Sequence, residues 1–216
     1  MTQEQFNEVK ERLAKWRKER HLTYENQREE FLGNVFEKIS KYFRAKDDCE
    51  IVNALCDMAA FCFNVNDVKF SNYECYMKSD KVDFKFFDIV SQINYIVIYK
   101  ADFERDPVKV ILDTLIALLH KKCESLKFNF YKCMLETIKE IESRTGYYDE
   151  GLNKFTKDKG VYNTKEAYDK FLKENISDDF YVLEDNEEFV IFDKENDFAL
   201  DKFKKWYKAD YESCRI

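Results

Sequence analysis

The sequence predicts an all-α fold: an antiparallel bundle of about five or six helices, with a mixed C-terminal extension that includes a small β-hairpin. Three observations point there. One proline and four glycines in 216 residues leave few points at which a helix must break. Apolar residues recur at spacings of three and four through most of residues 1–144. Capping residues stand where those periodic stretches begin.

The elements follow in order. Phe6, Val9, Leu13 and Trp16 form one apolar stripe on a charged helix over residues 3–20. Thr23 caps a second helix that runs to about Lys46. Asp47 and Asp48 break the chain and recap a third, which ends near Asn64. The connection is short, so these two helices should pack antiparallel with facing sides together. Residues 65–81 show little periodicity and read as a loop, and a fourth helix is expected over 83–100. Asp106-Pro107 is a start signal, with Asp106 as cap and the proline at the first helical position. The helix after it turns Val108, Ile111, Leu112, Leu115, Leu118 and Leu119 to the core. Another covers about Phe130 to Arg144 and stops at Gly146.

Beyond residue 145 the pattern changes. Asn163-x-x-Glu166 has the form of a capping box ahead of a short helix. Tyr181-Val182-Leu183 and Phe189-Val190-Ile191-Phe192 flank Asp185-Asn186 and predict the hairpin. A last helix is expected over Phe198 to Tyr211. Residues 1–144 read as the bundle core and 145–216 as an extension packed on it, within one domain overall.

Composition narrows the function. The net charge of -7 argues against duplex nucleic acid as a partner, because phosphate-backbone binding rests on clustered cations. A small anionic ligand, which needs only a local basic pocket, stays open. The seven cysteines form no C-x-x-C pair and only two histidines are present, so no zinc site is expected. Cys49, Cys56 and Cys62 read as buried thiols in a reducing cytosol. Met1 to Gln5 lacks the basic start of a signal peptide. Ile89 to Tyr99 is too short and too polar to span a bilayer. A soluble cytoplasmic protein with no membrane association is expected.

The chemistry-bearing residues cluster on the second and third helices. Glu37, Lys38 and Lys41 share a face by their spacings of three and four. Glu50, Asn53 and Asp57 do so on the next helix. Placed opposite each other, the two faces form a polar patch inside an apolar bundle.

The stretches Phe36-Glu37-Lys38-Ile39-Ser40-Lys41-Tyr42-Phe43-Arg44-Ala45 and Glu50-Ile51-Val52-Asn53-Ala54-Leu55-Cys56-Asp57 resemble the motif of the MazG-like nucleoside triphosphate pyrophosphohydrolases. That family carries Glu-Glu-x-x-Glu ahead of an alanine, then Glu-x-x-Asp on the next helix. Two later stretches resemble its bacteriophage-encoded members. One is Cys133 to Gly146 followed by Lys154-Phe155-Thr156-Lys157-Asp158. The other is Lys205 to Asp210 with Tyr211 and Cys214. The resemblance implies a magnesium-dependent hydrolysis of nucleoside triphosphate to monophosphate and pyrophosphate, and a homodimer. It assigns Glu37, Glu50 and Asp57 as catalytic carboxylates and magnesium ligands.

Here the motif departs from its family. Lysines 38 and 41 stand at two glutamate positions and Asn53 at the aspartate position. The five motif positions carry two carboxylates, two ammonium groups and an amide, so their formal charge cancels where the family has five negatives. Asp57 adds a single negative. An ammonium about 4 Å from a divalent cation repels it by roughly 8 kcal/mol at an effective dielectric of 20. The sequence therefore predicts a bacteriophage-type member with a degenerate metal motif and weak or lost catalysis. In it Lys38, Lys41 and Asn53 would hold the phosphates of a nucleoside triphosphate or related ligand. Arg144, Lys154 and Lys157, around a glycine-marked helix end, are the other phosphate-binding candidates.

Two alternatives stay open. Glu29-Glu30 offers a rival register for an active enzyme, although Gly33 follows where a ligand should stand and Tyr42-x-x-Ala45 favours Glu37. The other is a phage-encoded interaction protein, a repurposed bundle that binds a host or defence protein. Opposite-sign residues across the bundle should pair, and Lys41 with Glu50 is the expected contact. Glu136 and Glu140 either face a cavity together or line the solvent side. His120, beside Lys121 and Lys122, is expected at the surface.

Overall fold

A computed structural model describes residues 1–79, 86–152, 154–175 and 179–216, and for Lys154 the backbone alone. Residues 83–85 of the expected fourth helix lie outside the described residues. The chain divides into two compact units, Met1–Ile138 with Asp210–Ile216, and Lys139–Ala209.

The helices of the first unit are α1 (Gln3–Glu19), α2 (Tyr24–Arg44), α3 (Asp48–Val65), α4 (Phe70–Met77), α5 (Phe86–Ile98), α6 (Asp106–Ser125) and the larger part of α7 (Phe130–Ser143). A short 3-10 turn, Glu212–Cys214, belongs to the same unit. Thr2 and Thr23 close capping boxes at the starts of α1 and α2, each exchanging hydrogen bonds with the residue three further on. Asp47 accepts from the Glu50 amide at 2.8 Å, as expected for the cap of α3.

The connection from Ala45 to Asp47 turns the chain back, so α2 and α3 pack along each other. Helix α3 is buried almost all round, with Val52, Leu55, Met58 and Ala59 at zero exposure, and it also packs on α1 and α6. Its sequence is the most apolar of the early helices because it sits at the centre. Phe6 from α1 meets Phe63 of α3 and Tyr73 of α4 at ring distances of 5.0 and 5.1 Å.

Residues 65–81 were expected as loop, yet they contain α4. Its start is held from a distance: Asp113 of α6 accepts from the Lys69 amide at 2.9 Å and from the Asn72 side chain at 2.8 Å. A cap supplied by another helix leaves no local sequence signal. Asp106 is not the cap of α6; Arg105 takes that position, and Asp106 and Pro107 lie within the first turn.

His120 is a correction too. It is 2% exposed, with Nδ1 2.5 Å from the Tyr73 hydroxyl and Nε2 3.0 Å from Glu124. Phe130 stacks on its ring at 4.7 Å. The lysines that follow it in sequence point elsewhere because His120 lies on the apolar stripe of α6.

The second unit overturns the all-α expectation. Among the described residues it holds six strands in two sheets beside α8 (Thr164–Glu174). Strands β1 (Gly146–Asp149) and β2 (Lys154–Lys157) form an antiparallel pair. Strands β3 (Gly160–Val161), β4 (Phe180–Glu184), β5 (Glu188–Asp193) and β6 (Ala199–Lys205) form a sheet in the order β3-β6-β5-β4. The β4–β5 hairpin falls where alternation placed it, and Asn163 caps α8 by accepting from the Glu166 amide.

The expected helix over Phe198 to Tyr211 is instead β6 and a segment without regular secondary structure. Its physical reason lies across the sheet. Phe203 pairs with Phe189 and is fully buried, while Lys204 pairs with Glu188 in register and in charge at 2.6 Å. Cross-strand partners decide such a stretch, and helical spacing within it does not. Phe171 and Ala167 of α8 cover Phe180, Ile191 and Phe203 to make this unit's core.

Candidate functional site

The α2–α3 face brings Lys38 and Asp57 together. Lys38 Nζ lies 3.1 Å from Asp57 Oδ2 and 3.4 Å from Glu37 Oε1. The Lys38 and Asp57 side chains are 13% and 19% exposed, so the pair is largely withdrawn from water. Burial is the largest single influence on the Lys38 ammonium and works against it. The charge and hydrogen bond of Asp57 and the charge of Glu37 are among the influences that together outweigh it, and the net shift is upward. Glu37 is held below the usual carboxylate range by the charge of Lys38 and a hydrogen bond from Lys41.

Lys41 and Glu50 do not meet as expected. Lys41 is 46% exposed and pairs with Glu37 one turn earlier on its own helix, at 3.2 Å. Glu50 is exposed and accepts from the Lys46 amide at 2.8 Å, just ahead of the Asp47 cap to which its own amide donates. Its carboxylate serves the start of α3 and so does not turn across to α2.

Asn53 faces a residue that local sequence reasoning missed. Its Nδ2 donates to the Tyr211 hydroxyl at 3.0 Å, and that hydroxyl lies 2.9 Å from Thr137 Oγ1. Thr137 commits its own proton to the Cys133 carbonyl at 2.9 Å. The chain of donors therefore runs from Asn53 to Tyr211 to Thr137 to the Cys133 carbonyl. Burial pushes the Tyr211 hydroxyl far above its ordinary value, so it stays a donor. The only signal for Tyr211 was its place in the third stretch of family resemblance. Glu136, beside it in sequence to Thr137, is buried and accepts from the Asp210 amide at 3.1 Å.

The other candidates lie in the second unit. The Arg144 guanidinium bonds to Glu140 and, at 2.6 Å, to the Tyr162 hydroxyl, which itself donates to Glu140 at 2.8 Å. Glu140 also accepts from the Ala209 amide at 3.0 Å, so Arg144 and Glu140 hold the strand ends in place. Lys157 is exposed on β2, and the side chain of Lys154 lies outside the described residues. In the rival register, Glu29 and Glu30 are both exposed on α2.

These residues do not fit magnesium. The ion takes oxygen ligands in a near-octahedral array. Here an ammonium sits between two of the three implied carboxylates, and the third is taken up as a helix cap. Among the described residues, no group of three or more His, Cys, Asp or Glu is arranged to hold a metal ion. Two grooves, of about 460 and 450 Å³, border the starts of α1 and α4, and no sequence-predicted site residue lines either. No described helix is long and apolar enough to cross a membrane.

No protein-family model, curated protein or solved structure matches this chain.

Proposed function

We propose that the chain is a MazG-like nucleotide-binding protein without magnesium-dependent turnover, which takes the phosphates of a nucleoside triphosphate or related ligand. The observation that carries this reading is Lys38 in ion-pair contact with Asp57 and Glu37, occupying the place that metal charge would take. A lysine there removes the need for the cation and forbids its entry. Lys41 is the accessible cation of the set, and its half-exposed pair with Glu37 is weak enough to exchange for a phosphate oxygen.

A panel of nucleotides with and without magnesium tests this by thermal shift, alongside pyrophosphate release. The expected result is a magnesium-independent shift that Lys41→Ala abolishes, with turnover far below about 10 s⁻¹. Turnover near that median, lost on Glu29→Gln with Glu30→Gln, would overturn the reading in favour of an active enzyme in the rival register.

A second reading, a protein-interaction module, is favoured by one apolar patch. Tyr42 and Phe86 stack at 3.6 Å, with Phe43 edge-on to Phe86 at 5.3 Å. Phe43 and neighbouring Phe87 are 69% and 73% exposed. Such clustered exposed rings suit an apolar protein surface. No thermal shift with any nucleotide, together with partner capture that Phe43→Ser and Phe87→Ser abolish, selects this reading.

A further inference from the structure

Helix α5 carries a single charged residue, Asp88, in a chain that is 37% charged. It packs on α6, and Ile89, Ile93 and Ile96 are its buried residues. A helix used on that side alone would be polar on its other faces. Here Phe87, Val97 and Ile98 are 73%, 41% and 60% exposed. By helical spacing Phe87 and Ile98 return to one line of the helix, and Val90 and Val97 lie next to it, so the apolar side extends well past the buried edge. Phe86 continues the stripe onto α2 through its stack with Tyr42 and its edge contact with Phe43. At 1.5 Å per residue, the part of the stripe that follows α5 is about 20 Å long.

Charge lies at the two ends of the stripe and has one sign. Phe43 is followed by Arg44 and Lys46, and Ile98 by Lys100; all three cations are exposed. None of them pairs with a carboxylate among the described residues, and Arg44 Nε donates to the Ser40 carbonyl of its own helix at 3.2 Å. The neighbouring carboxylates are committed elsewhere. Asp47 caps α3, Asp102 pairs with Arg105 at 3.6 Å, and Glu104 pairs with Arg28 at 2.7 Å.

We propose that this stripe docks an acidic amphipathic helix of a partner protein. Its apolar side lies along α5, and its carboxylates meet Arg44 and Lys46 at one end and Lys100 at the other. The inference rests on the protein-interaction reading of the Phe43 and Phe87 patch and names the chemistry of the partner. A helix of about four turns matches the length of the stripe. A second copy of the chain is disfavoured by charge: α5 packed antiparallel on α5 about a two-fold axis would set the cations of one copy against those of the other. An anionic lipid surface would face the whole chain, whose net charge of -7 repels it, whereas a helix meets only the stripe and its ends.

Fluorescence anisotropy of the full chain with a synthetic helix of about 18 residues tests this, with leucine at i, i+3, i+4 and i+7 and glutamate between. The parent should bind it, and about 0.5 M salt should weaken the binding severalfold. Phe87→Ser with Ile98→Ser should weaken it about tenfold or more at unchanged far-UV circular dichroism. Arg44→Glu with Lys46→Glu and Lys100→Glu should do the same without touching the apolar side chains. The same peptide with lysine in place of glutamate should not bind.

No binding of the acidic peptide, equal binding of the lysine peptide, or binding that neither variant weakens would overturn the proposal. So would a dimer in sedimentation, or binding to phosphatidylserine vesicles, that Phe87→Ser with Ile98→Ser abolishes. Failure here with partner capture still dependent on Phe43 and Phe87 removes the acidic helix alone; loss of that capture as well removes the interaction reading.

Discussion

Lys38 Nζ and Asp57 Oδ2 stand 3.1 Å apart across the α2–α3 contact, and both side chains are more than four-fifths covered. Removing either partner leaves a charge withdrawn from water with no compensation, whereas removing both does not. A double-mutant cycle on Lys38→Met and Asp57→Asn should therefore give a coupling of about 1–3 kcal/mol in denaturant unfolding. The same cycle on Lys41→Met and Glu50→Gln should be additive within about 0.3 kcal/mol, because those side chains serve different partners. Equal coupling in the two cycles would remove the assignment of Lys38 as the residue that neutralises this face.

Installing the carboxylates of the motif that these helices resemble tests the proposed reading of the same face from the other side. With Lys38→Glu, Lys41→Glu and Asn53→Asp, the set Glu37, Glu50, Asp57 and the three new carboxylates would carry six negative charges. Calorimetry should detect magnesium binding to the triple variant and none to the parent. The variant should also be less stable without metal, since like charges then crowd the α2–α3 contact. Equal magnesium affinity in both proteins would show that this face is not the remnant of a metal site.

The second and third helices were legible because helical spacing fixes which residues share a face, and the Asp47 cap fixes where the turn falls. Which ammonium meets which carboxylate was not, since it depends on the rotation of each helix and on Glu50 being used as a cap. Tyr211 was harder still, as it lies 158 positions from Asn53 and enters from an irregular segment read as helix. The β4–β5 hairpin showed in its alternation. Strand β6 did not, because Lys202-Phe203-Lys204-Lys205 acquires its meaning from Phe189 and Glu188 on the neighbouring strand.

Tyr211→Phe should destabilise the helical unit by about 1–3 kcal/mol, the cost of leaving buried polar groups unmet. The hydroxyl accepts from Asn53 and donates to Thr137, so its loss strands one donor and one acceptor at once. Asn53→Ala in the Tyr211→Phe background should then cost little more, because the donor it removes is already unpaired. Urea unfolding of the two single variants and the double variant measures this; strict additivity would mean that the hydroxyl chain does not operate as a unit.

His120 sets a pH dependence whose sign follows from its surroundings. Burial lowers its pKa from the ordinary 6.5, and the hydrogen bond to Glu124 only partly restores it. The neutral ring suits both neighbours, accepting from the Tyr73 hydroxyl at Nδ1 and donating to Glu124 from Nε2. The unfolded chain therefore binds a proton at higher pH than the folded one does. Stability is retained above 6.5 and is lost as pH falls from there towards the folded value. Urea midpoints measured from about pH 7 to about pH 5 cover this change, and comparison with a His120 variant separates it from the Met1 amine, which burial lowers, and from Asp113, which burial raises. The parent protein should lose stability across that window, whereas His120→Gln, although less stable at neutral pH, should hold a nearly constant midpoint. A parallel decline in both proteins would assign the pH dependence to other groups and leave His120 with a packing role alone.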